Sequence, residues 1–329
     1  MNAFLGIDGG GTKTDFLLID AAGTVLARRQ GGSAYYLQIG VEPLRSMLHE
    51  GIEGTLADAG LGPAALAYTC IGLPAHGEDS ALTAILDGIA APLLPAARTR
   101  SVNDMVCGWA GALAGGDGIS IVAGTGSIGY GEYKGRSARA GGWGELFSDE
   151  GSAYWIARES LSLFSRMSDG REAPGPLLHI VREHFGLSVD LDLCAAVYGP
   201  PALPRSEFAA LAPLAAEAAR QGDIAVQRLF ANAGSELARI AHAIRDRLGV
   251  PDSVALPVSY SGGLFTLRDV LLSGFEAALH SGARRYEFCT PRFAPNAGAA
   301  LYAARLAGTP LPAAALEQLA HIPGAVAHD

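Results

Sequence analysis

The sequence predicts an α/β protein built from two related lobes. Apolar, strand-like runs alternate with helical patterns along the chain, which is typical of α/β architecture. A strand, a glycine-rich turn and a second strand occur in this order twice, first in GIDGGGTKT and again in GISIVAGTGSIGYGEYKG. Since 329 residues suffice for two ordinary domains, this internal echo indicates one lobe for each copy.

The first lobe is expected over residues 1–115, joined by a C-terminal helix within 305–329. It opens with a β-meander and continues as an α/β unit. Its strands are expected at 3–8, 14–20, the segment VLARRQ, 66–72 and 98–103, and its helices at 41–60, 78–91 and from Asp104 to residue 114.

The second lobe is expected over residues 116–304. It begins with the GTGS hairpin and then becomes mainly helical. Its helices are expected at 149–168, 174–186, 205–220, 223–248, 265–280 and PNAGAALYAARLAG, and its later strands at 254–260 and RRYEFC.

Charge and composition narrow the range of functions. The formal net charge is −9 and no basic run stands out, so we expect no nucleic-acid partner and favour a small-molecule ligand. An anion such as ATP stays possible, because backbone amides and magnesium can supply local positive charge. We expect no membrane span, since no stretch of about 18 apolar residues lacks a charge or a glycine.

The cysteines and the N-terminus point to the cytoplasm. Cys70, Cys107, Cys194 and Cys289 form no C-x-x-C pair, so no zinc or redox motif is predicted. Scattered thiols fit a reducing compartment. The start MNAFLGIDGGG has neither a charged n-region nor an apolar h-region, so we expect no secretory signal.

The first glycine turn is a candidate phosphate site. GIDGGGTKT nearly matches a P-loop, but the lysine comes one position late and a strand follows where a P-loop needs a helix. A hairpin turn made of Gly9, Gly10 and Gly11 can still bring backbone N–H groups to an anion. Thr12 and Lys13 can donate to phosphate oxygens. The alternative is an ordinary tight hairpin.

A carboxylate at each of two strand ends suggests further chemistry. Asp8 ends the first strand and can hold a magnesium-bound water. Asp104 follows a later strand in VNDMV, where it can serve as general base for a sugar hydroxyl. The alternative for Asp104 is a helix N-cap, and the two roles can coexist.

Two turns of the second lobe extend the pattern. GTGS at 124–127 can hold nucleotide phosphates from the side opposite to the first turn. The glycines of SGGLF at 261–265 permit close approach of a flat ring such as adenine. The alternative for each is a plain turn.

Taken in order, these segments resemble the sugar kinase/heat-shock protein/actin superfamily. Within it, the stretch GGWGELFSDEGSAYWIA at 141–157 is similar to the N-acetylglucosamine kinases. These share the BadF/BadG/BcrA/BcrD ATPase family with activators of acyl-CoA dehydratases and reductases. The resemblance runs from Gly6 to the GAAL at 298–301 and is thinnest at 170–250. It implies a two-lobed actin-like fold, a duplicated ribonuclease H-like motif with a cleft between the lobes.

The resemblance also implies roles for individual residues. Asp8 through Thr14 correspond to the first phosphate motif, Asp104 to the catalytic base, and Gly124 through Ser127 to the second phosphate motif. Gly142, Trp143, Gly144 and Asp149 correspond to sugar contacts, to which we add Asp104 and Ser127. Gly262 and Gly263 correspond to the adenosine motif, and Gly298 to its supporting glycine.

The implied activity is ATP- and magnesium-dependent phosphorylation of N-acetylglucosamine at O6, by a cytoplasmic protein that we expect to be a homodimer. Tyr35 and Ile128 stand where the animal enzymes carry sugar-contacting asparagines, so glucosamine stays an alternative substrate. An activator ATPase with an iron–sulfur cluster is a second alternative, although Cys194 and Cys289 lack the local spacing. The sequence shows no DNA-reading segment of the kind that a sugar-sensing regulator needs. It also shows neither the cysteine-rich zinc site nor the E-x-G-x-H element of kinases in the repressor/open-reading-frame/kinase family.

Overall fold

Two five-stranded sheets, each with its own helices, organise the chain. The computed structural model describes residues 2–327. The first unit comprises the chain up to Ser120 and again from Thr290, and the second unit is Ile121–Cys289. The chain returns to the first unit before residue 305, because the helix that follows Ala294 packs on the first sheet. His328 and Asp329, at the end of the expected 305–329 segment, lie outside the described residues.

The first sheet combines a meander with two parallel strands. In chain order its strands are β1 Ala3–Gly9, β2 Thr14–Asp20, β3 Val25–Gly31, β4 Leu66–Leu73 and β5 Thr99–Asn103. Their order across the sheet is β3-β2-β1-β4-β5, with β1 antiparallel to β2 and parallel to β4. The central strand β1 is buried along its length apart from Asp8, which is partly exposed, because helices and neighbouring strands cover an apolar run on both faces.

Four helices precede the second sheet: α1 Tyr36–Ile39, α2 Val41–Asp58, α3 Ser80–Asp87 and α4 Asp104–Ala112. Helix α3 is shorter than the expected 78–91 segment. The Asp79 side chain caps it by accepting a hydrogen bond of 2.8 Å from the Ala81 N–H, and Gly88 follows its last residue. Helix α4 begins where the sequence analysis placed it.

The second sheet repeats the arrangement of the first. Its strands are β6 Gly118–Ala123, β7 Ser127–Tyr133, β8 Arg136–Gly141, β9 Leu256–Ser261 and β10 Tyr286–Cys289. Read from β8, their order is third, second, first, fourth, fifth, as in the first sheet. The pair β7–β8 is antiparallel and the pair β9–β10 is parallel. The expected duplication is thus present in the topology. Strand β8 was missed because RSARAG shows no apolar alternation.

Helices fill most of the remaining second unit. They are α5 Ala153–Ser168, α6 Pro176–Phe185, α7 Leu193–Tyr198, α8 Arg205–Ala209, α9 Ala212–Arg220, α10 Ile224–Leu248 and α11 Arg268–Leu279. The expected single helix at 205–220 is two helices. Pro213 lies in the first turn of α9, where a missing N–H is tolerated and the preceding helix ends. Helix α5 starts later than residue 149, since Ser152 is its N-cap.

The chain ends in the first unit with α12 Pro295–Leu306 and α13 Ala313–Ala320. Helix α12 packs on β1 and on α4 at two glycines. A Cβ atom at Gly6 would collide with the Ala300 backbone, and one at Gly298 with the backbone of Cys107 and Gly111. Small residues at these contacts let helix backbones approach the sheet and each other closely.

Candidate active site

The first glycine turn joins β1 to β2 and exposes its tip. The Gly10 N–H donates to the Lys13 carbonyl over 2.8 Å, and the Ala34 N–H donates to the Gly10 carbonyl over 2.9 Å. Gly11, Thr12 and Lys13 are exposed. A Cβ atom at Gly11 would have no neighbour within 4 Å, whereas one at Gly9 would lie 2.6 Å from the Gly72 carbonyl oxygen. Gly9 is therefore needed for packing, and Gly11 leaves open space in front of the turn.

Carboxylates gather beside this turn at one edge of the first sheet. Strand pairing sets Asp8 opposite Asp15 on β2 and opposite Gly72 on β4. Strand β5, parallel to β4, ends at Asn103, so Asp104 follows at the same edge. Desolvation of the Asp8 carboxyl, and then the charges of Asp104 and Asp15, raise its pKa to about 8, while the charge of Lys13 opposes this rise. Asp104 lies close to this edge, since its Cα is 3.4 Å from the position of a Cβ atom on Gly72, the residue opposite Asp8.

Asp104 is the first residue of α4, and the helix cap is its neighbour. The Asn103 side chain accepts the hydrogen bond from the Met105 N–H over 3.2 Å. The alternative assignment of Asp104 as N-cap is therefore wrong, because the extended backbone of Asn103 places its own amide oxygen over the first turn. The negative charge of Asp104 still lies at the positive end of the helix dipole.

The donor set at this edge fits a magnesium ion held partly by a nucleotide. No group of three or more His, Cys, Asp or Glu side chains among residues 2–327 is arranged to enclose a metal. Mg²⁺ is usually bound through one or two carboxylates, with water and substrate phosphates completing its coordination. The pKa of Asp8 is raised first by desolvation and then by the negative charges of Asp104 and Asp15, and a bound cation would offset these charges.

The second glycine turn joins β6 to β7 and is tied to the start of α5. The Ala153 N–H donates to the Gly124 carbonyl over 2.9 Å, and the Tyr154 N–H to the Thr125 carbonyl over 3.3 Å. The Ser127 hydroxyl donates to the Glu150 carbonyl over 2.7 Å. Helix α5 and the segment before it thus fix the shape of this turn, in which Thr125 and Gly126 stay partly exposed. The contact of Ser127 with a substrate stays a prediction.

The glycines predicted to contact adenosine, Gly262 and Gly263, lie against the second turn within the same unit. A Cβ atom at Gly262 would collide with the Ala123 backbone, and Gly262 has a φ of 103° that favours glycine. The Gly263 nitrogen lies 3.9 Å from the position of a Cβ atom on Gly124. A 3₁₀ turn over Gly263–Leu267 precedes α11, so the expected helix at 265–280 begins later. Gly298 lies in the first unit, where the structure gives it a packing role between helices.

The glycine-flanked tryptophan stands on an exposed loop after β8. Gly142 and Gly144 have φ values of 70° and 95°, which an L side chain rarely adopts. The Trp143 side chain is 73% exposed, and Leu146 and Phe147 beside it are similarly exposed. Trp143 and Phe147 border a groove of about 460 Å³ that is also lined by Ile240 and Ala243. An exposed indole is suited to cover a sugar face, and that role stays a prediction.

An apolar residue, Ile128, contacts this loop, and a buried carboxylate, Asp149, lies at its end. The Ile128 side chain would touch a Cβ atom on Gly142 at 2.6 Å. Asp149 is 3% exposed and pairs with Arg205 over 2.6 Å. Sequence reasoning missed Arg205, because it lies in the loop-like PPALPRS segment where the resemblance is weakest and no motif marks it.

Comparisons with known proteins identify the fold and the family. The actin-like α/β class predicted from the sequence is confirmed by the paired sheets and by solved structures of the same fold. The chain belongs to the BadF/BadG/BcrA/BcrD ATPase family, whose profile matches residues 5–303. Among the described residues, no helix is long and apolar enough to cross a membrane.

Three relatives illustrate the similarity. An N-acetyl-D-glucosamine kinase of Dictyostelium discoideum is 27% identical over 91% of this chain and 97% of its own length. An N-acetylmuramic acid/N-acetylglucosamine kinase of Clostridium acetobutylicum is 28% identical over 85% of this chain and 91% of its own. The crystal structure of a proposed N-acetylglucosamine kinase from Chromobacterium violaceum superposes with a TM-score of 0.66 and 31% identity, covering 92% of this chain and 98% of the other.

Proposed function

We propose that the protein transfers the γ-phosphoryl group of ATP to a hydroxyl group of an amino sugar, with N-acetylglucosamine as substrate and its 6-phosphate as product. The observation that carries this proposal is the pair of carboxyl groups, Asp8 and Asp104, beside the exposed glycine turn of the first unit. The kinase relatives and the family membership support it.

Asp104 acts as the general base. Its carboxylate accepts the hydroxyl proton as the sugar oxygen forms a bond to the γ-phosphorus, and the bond from that phosphorus to the β–γ bridging oxygen breaks to release ADP. Asp8 would hold Mg²⁺ through a water molecule, and the ion would supply positive charge that neutralises phosphate. The N–H groups of Gly11, Thr12 and Lys13 donate to phosphate oxygens, since this part of the turn is exposed.

Ile128 favours an N-acetylated sugar over a free amine. Its side chain lies against Gly142 in the loop that the resemblance assigns to sugar contacts. An apolar side chain suits the methyl of an N-acetyl group and gives no compensation for desolvating an ammonium group. The similarity of residues 141–157 to N-acetylglucosamine kinases, and the two kinase relatives, also support N-acetylglucosamine over glucosamine.

ADP release measured with N-acetylglucosamine, glucosamine, N-acetylmannosamine and glucose tests the proposal. We expect the highest kcat/KM with N-acetylglucosamine and activity only in the presence of Mg²⁺. A higher kcat/KM with glucosamine would overturn the assigned substrate, and ADP release that is independent of every amino sugar would overturn the activity.

Two finer expectations belong to the same proposal. Four free cysteines, two of them buried, fit a reducing cytoplasm. A homodimer predicts twice the chain mass of 33.8 kDa in light scattering, and a monomer mass at working concentration would contradict it.

A further inference from the structure

One guanidinium in the second unit holds two carboxylates of the loop that carries the predicted sugar contacts. Arg205, the first residue of α8, donates from Nη2 to Asp149 Oδ2 over 2.6 Å and pairs through Nε with Glu145 Oε2 over 2.9 Å. Both carboxylates belong to the segment between Trp143 and α5. A single side chain from a distant part of the sequence therefore fixes this loop at two points.

The paired carboxylate is buried and its backbone is unusual. Asp149 is 3% exposed, and its φ of 59° lies in the left-handed region. A buried carboxylate needs a cation or several hydrogen bonds, and Arg205 supplies the cation. Left-handed non-glycine residues persist where surrounding contacts hold them, and they are often found at functional sites.

The pair also lies directly against the second glycine turn. A Cβ atom on Gly126 would be 2.6 Å from Asp149 Oδ2 and 2.8 Å from Arg205 Nη2. Arg205 thus places its positive charge beside the Asp149 carboxylate at this turn. Three of the five N–H groups of an arginine are not needed for these two ion pairs, and the side chain is 44% exposed.

We propose that Arg205 is the positioning residue of the sugar site. By occupying Asp149 Oδ2, the guanidinium orients the carboxylate so that Oδ1 accepts a hydrogen bond from a sugar hydroxyl. Through Glu145 it also holds the loop that presents Trp143. This inference rests on the proposed function and deepens it, because it assigns sugar affinity to a residue outside every motif of the sequence.

The test measures KM for the sugar and for ATP separately in Arg205→Met and Arg205→Lys. Losing a charged hydrogen-bond partner should raise the sugar KM of the methionine variant roughly tenfold to a hundredfold, with the ATP KM changed by less than about threefold. The lysine variant should fall in between, because an ammonium keeps the charge and cannot bridge both carboxylates. Equal changes in both KM values, or none, would overturn the proposal.

A matched control separates position from general stability. Arg220 is 41% exposed and also faces two carboxylates, Asp269 at 2.7 Å and Glu217 at 3.9 Å. Arg220→Met should leave both KM values unchanged. A rise in sugar KM equal to that of Arg205→Met would mean that the effect comes from losing any such ion pair, and the proposal would fall.

Coupling between the two partners gives a second readout. Because Arg205 acts partly through Asp149, the double variant Arg205→Met/Asp149→Asn should raise the sugar KM by clearly less than the product of the two single effects. Multiplication of the two single effects would assign Arg205 a role independent of Asp149 and overturn the proposal. Millimolar guanidinium should restore the sugar KM of Arg205→Gly but not that of Asp149→Asn, whereas no rescue would count against it.

Failure here is distinguishable from failure of the proposed function. If the unaltered protein phosphorylates no amino sugar, the function is wrong. If it does so and Arg205→Met matches it in both KM values, the function stands and the positioning role is wrong.

Discussion

The two glycine turns occupy equivalent places in two similar sheets, yet their surroundings differ. The first, at Gly9–Lys13, has an exposed tip, and the carboxylates of Asp8, Asp15 and Asp104 gather beside it. The second, at 124–127, is bonded to the start of α5 and lies against Asp149 and Arg205. We therefore propose that the duplicated hairpin carries proton and metal chemistry in one unit and ligand positioning in the other. Four predictions test this division.

The largest effect is expected at the proposed base. Asp104→Asn keeps the shape and the helix position and removes the proton acceptor, so kcat should fall by about a hundredfold or more. The Tm should not fall, since Asn103 retains the cap. Steady-state kinetics and thermal unfolding check both. Retention of more than about a tenth of the activity would remove Asp104 from the role of base.

Stability of the first unit should depend on the charge of Asp8. Its raised pKa, about 8, means that the folded protein binds a proton that the unfolded chain releases near pH 4. The contribution of Asp8 to the free energy of unfolding should therefore be largest below about pH 4 and fall as the pH rises to about 8. Asp8→Asn removes this loss, so at pH 8 the variant should be at least about 2 kcal/mol more stable than the original.

Urea unfolding in magnesium-free buffer at pH 4 and pH 8 measures this difference. The two proteins should have similar free energies of unfolding at pH 4, and Mg²⁺ with ATP should stabilise only the protein that retains Asp8. A stability difference that is the same at both pH values would contradict the raised pKa of Asp8 in the folded protein.

Substitutions at two glycines of the first turn should affect different properties, ATP binding at Gly11 and stability at Gly9. Gly11→Ala adds a methyl group to open space, so the Tm should hold while the ATP KM rises by about tenfold. Gly9→Ala places a methyl group 2.6 Å from the Gly72 carbonyl oxygen and should lower the Tm. An unchanged ATP KM in Gly11→Ala would argue that this turn is an ordinary hairpin.

The smallest effect is expected in the second unit at the exposed loop. Trp143→Ala should raise the sugar KM about threefold to tenfold, in line with the usual strength of a contact with an aromatic face. Leu146→Ala is the matched control, because Leu146 is 83% exposed in the same loop and no sugar contact is predicted for it. Equal sugar KM values in the two variants would contradict the stacking role.

The sequence predicted the fold where the local signals were strong. Apolar runs such as AFLGID and the glycine turns led to both hairpins, and their repetition led to the duplication that the strand orders display. Strand β8 and the break at Pro213 were missed because a polar edge strand has no clear alternation and because one proline in an alanine-rich segment does not settle where a helix restarts.

The candidate site was predictable only in part. Asp8 and Asp104 stand at strand ends, and parallel pairing brings such residues to one edge. The pairing of Arg205 with Asp149 joins residues from separate helices and loops. No periodicity or spacing encodes such a contact, so only the tertiary structure could show it.

Phosphorus NMR of the unaltered protein with ATP, Mg²⁺ and N-acetylglucosamine tests the central claim most directly. A sugar phosphate resonance coupled to the C6 protons should grow in step with ADP, and Asp104→Asn should slow both together by about a hundredfold or more. Accumulation of inorganic phosphate with no sugar phosphate would contradict the account.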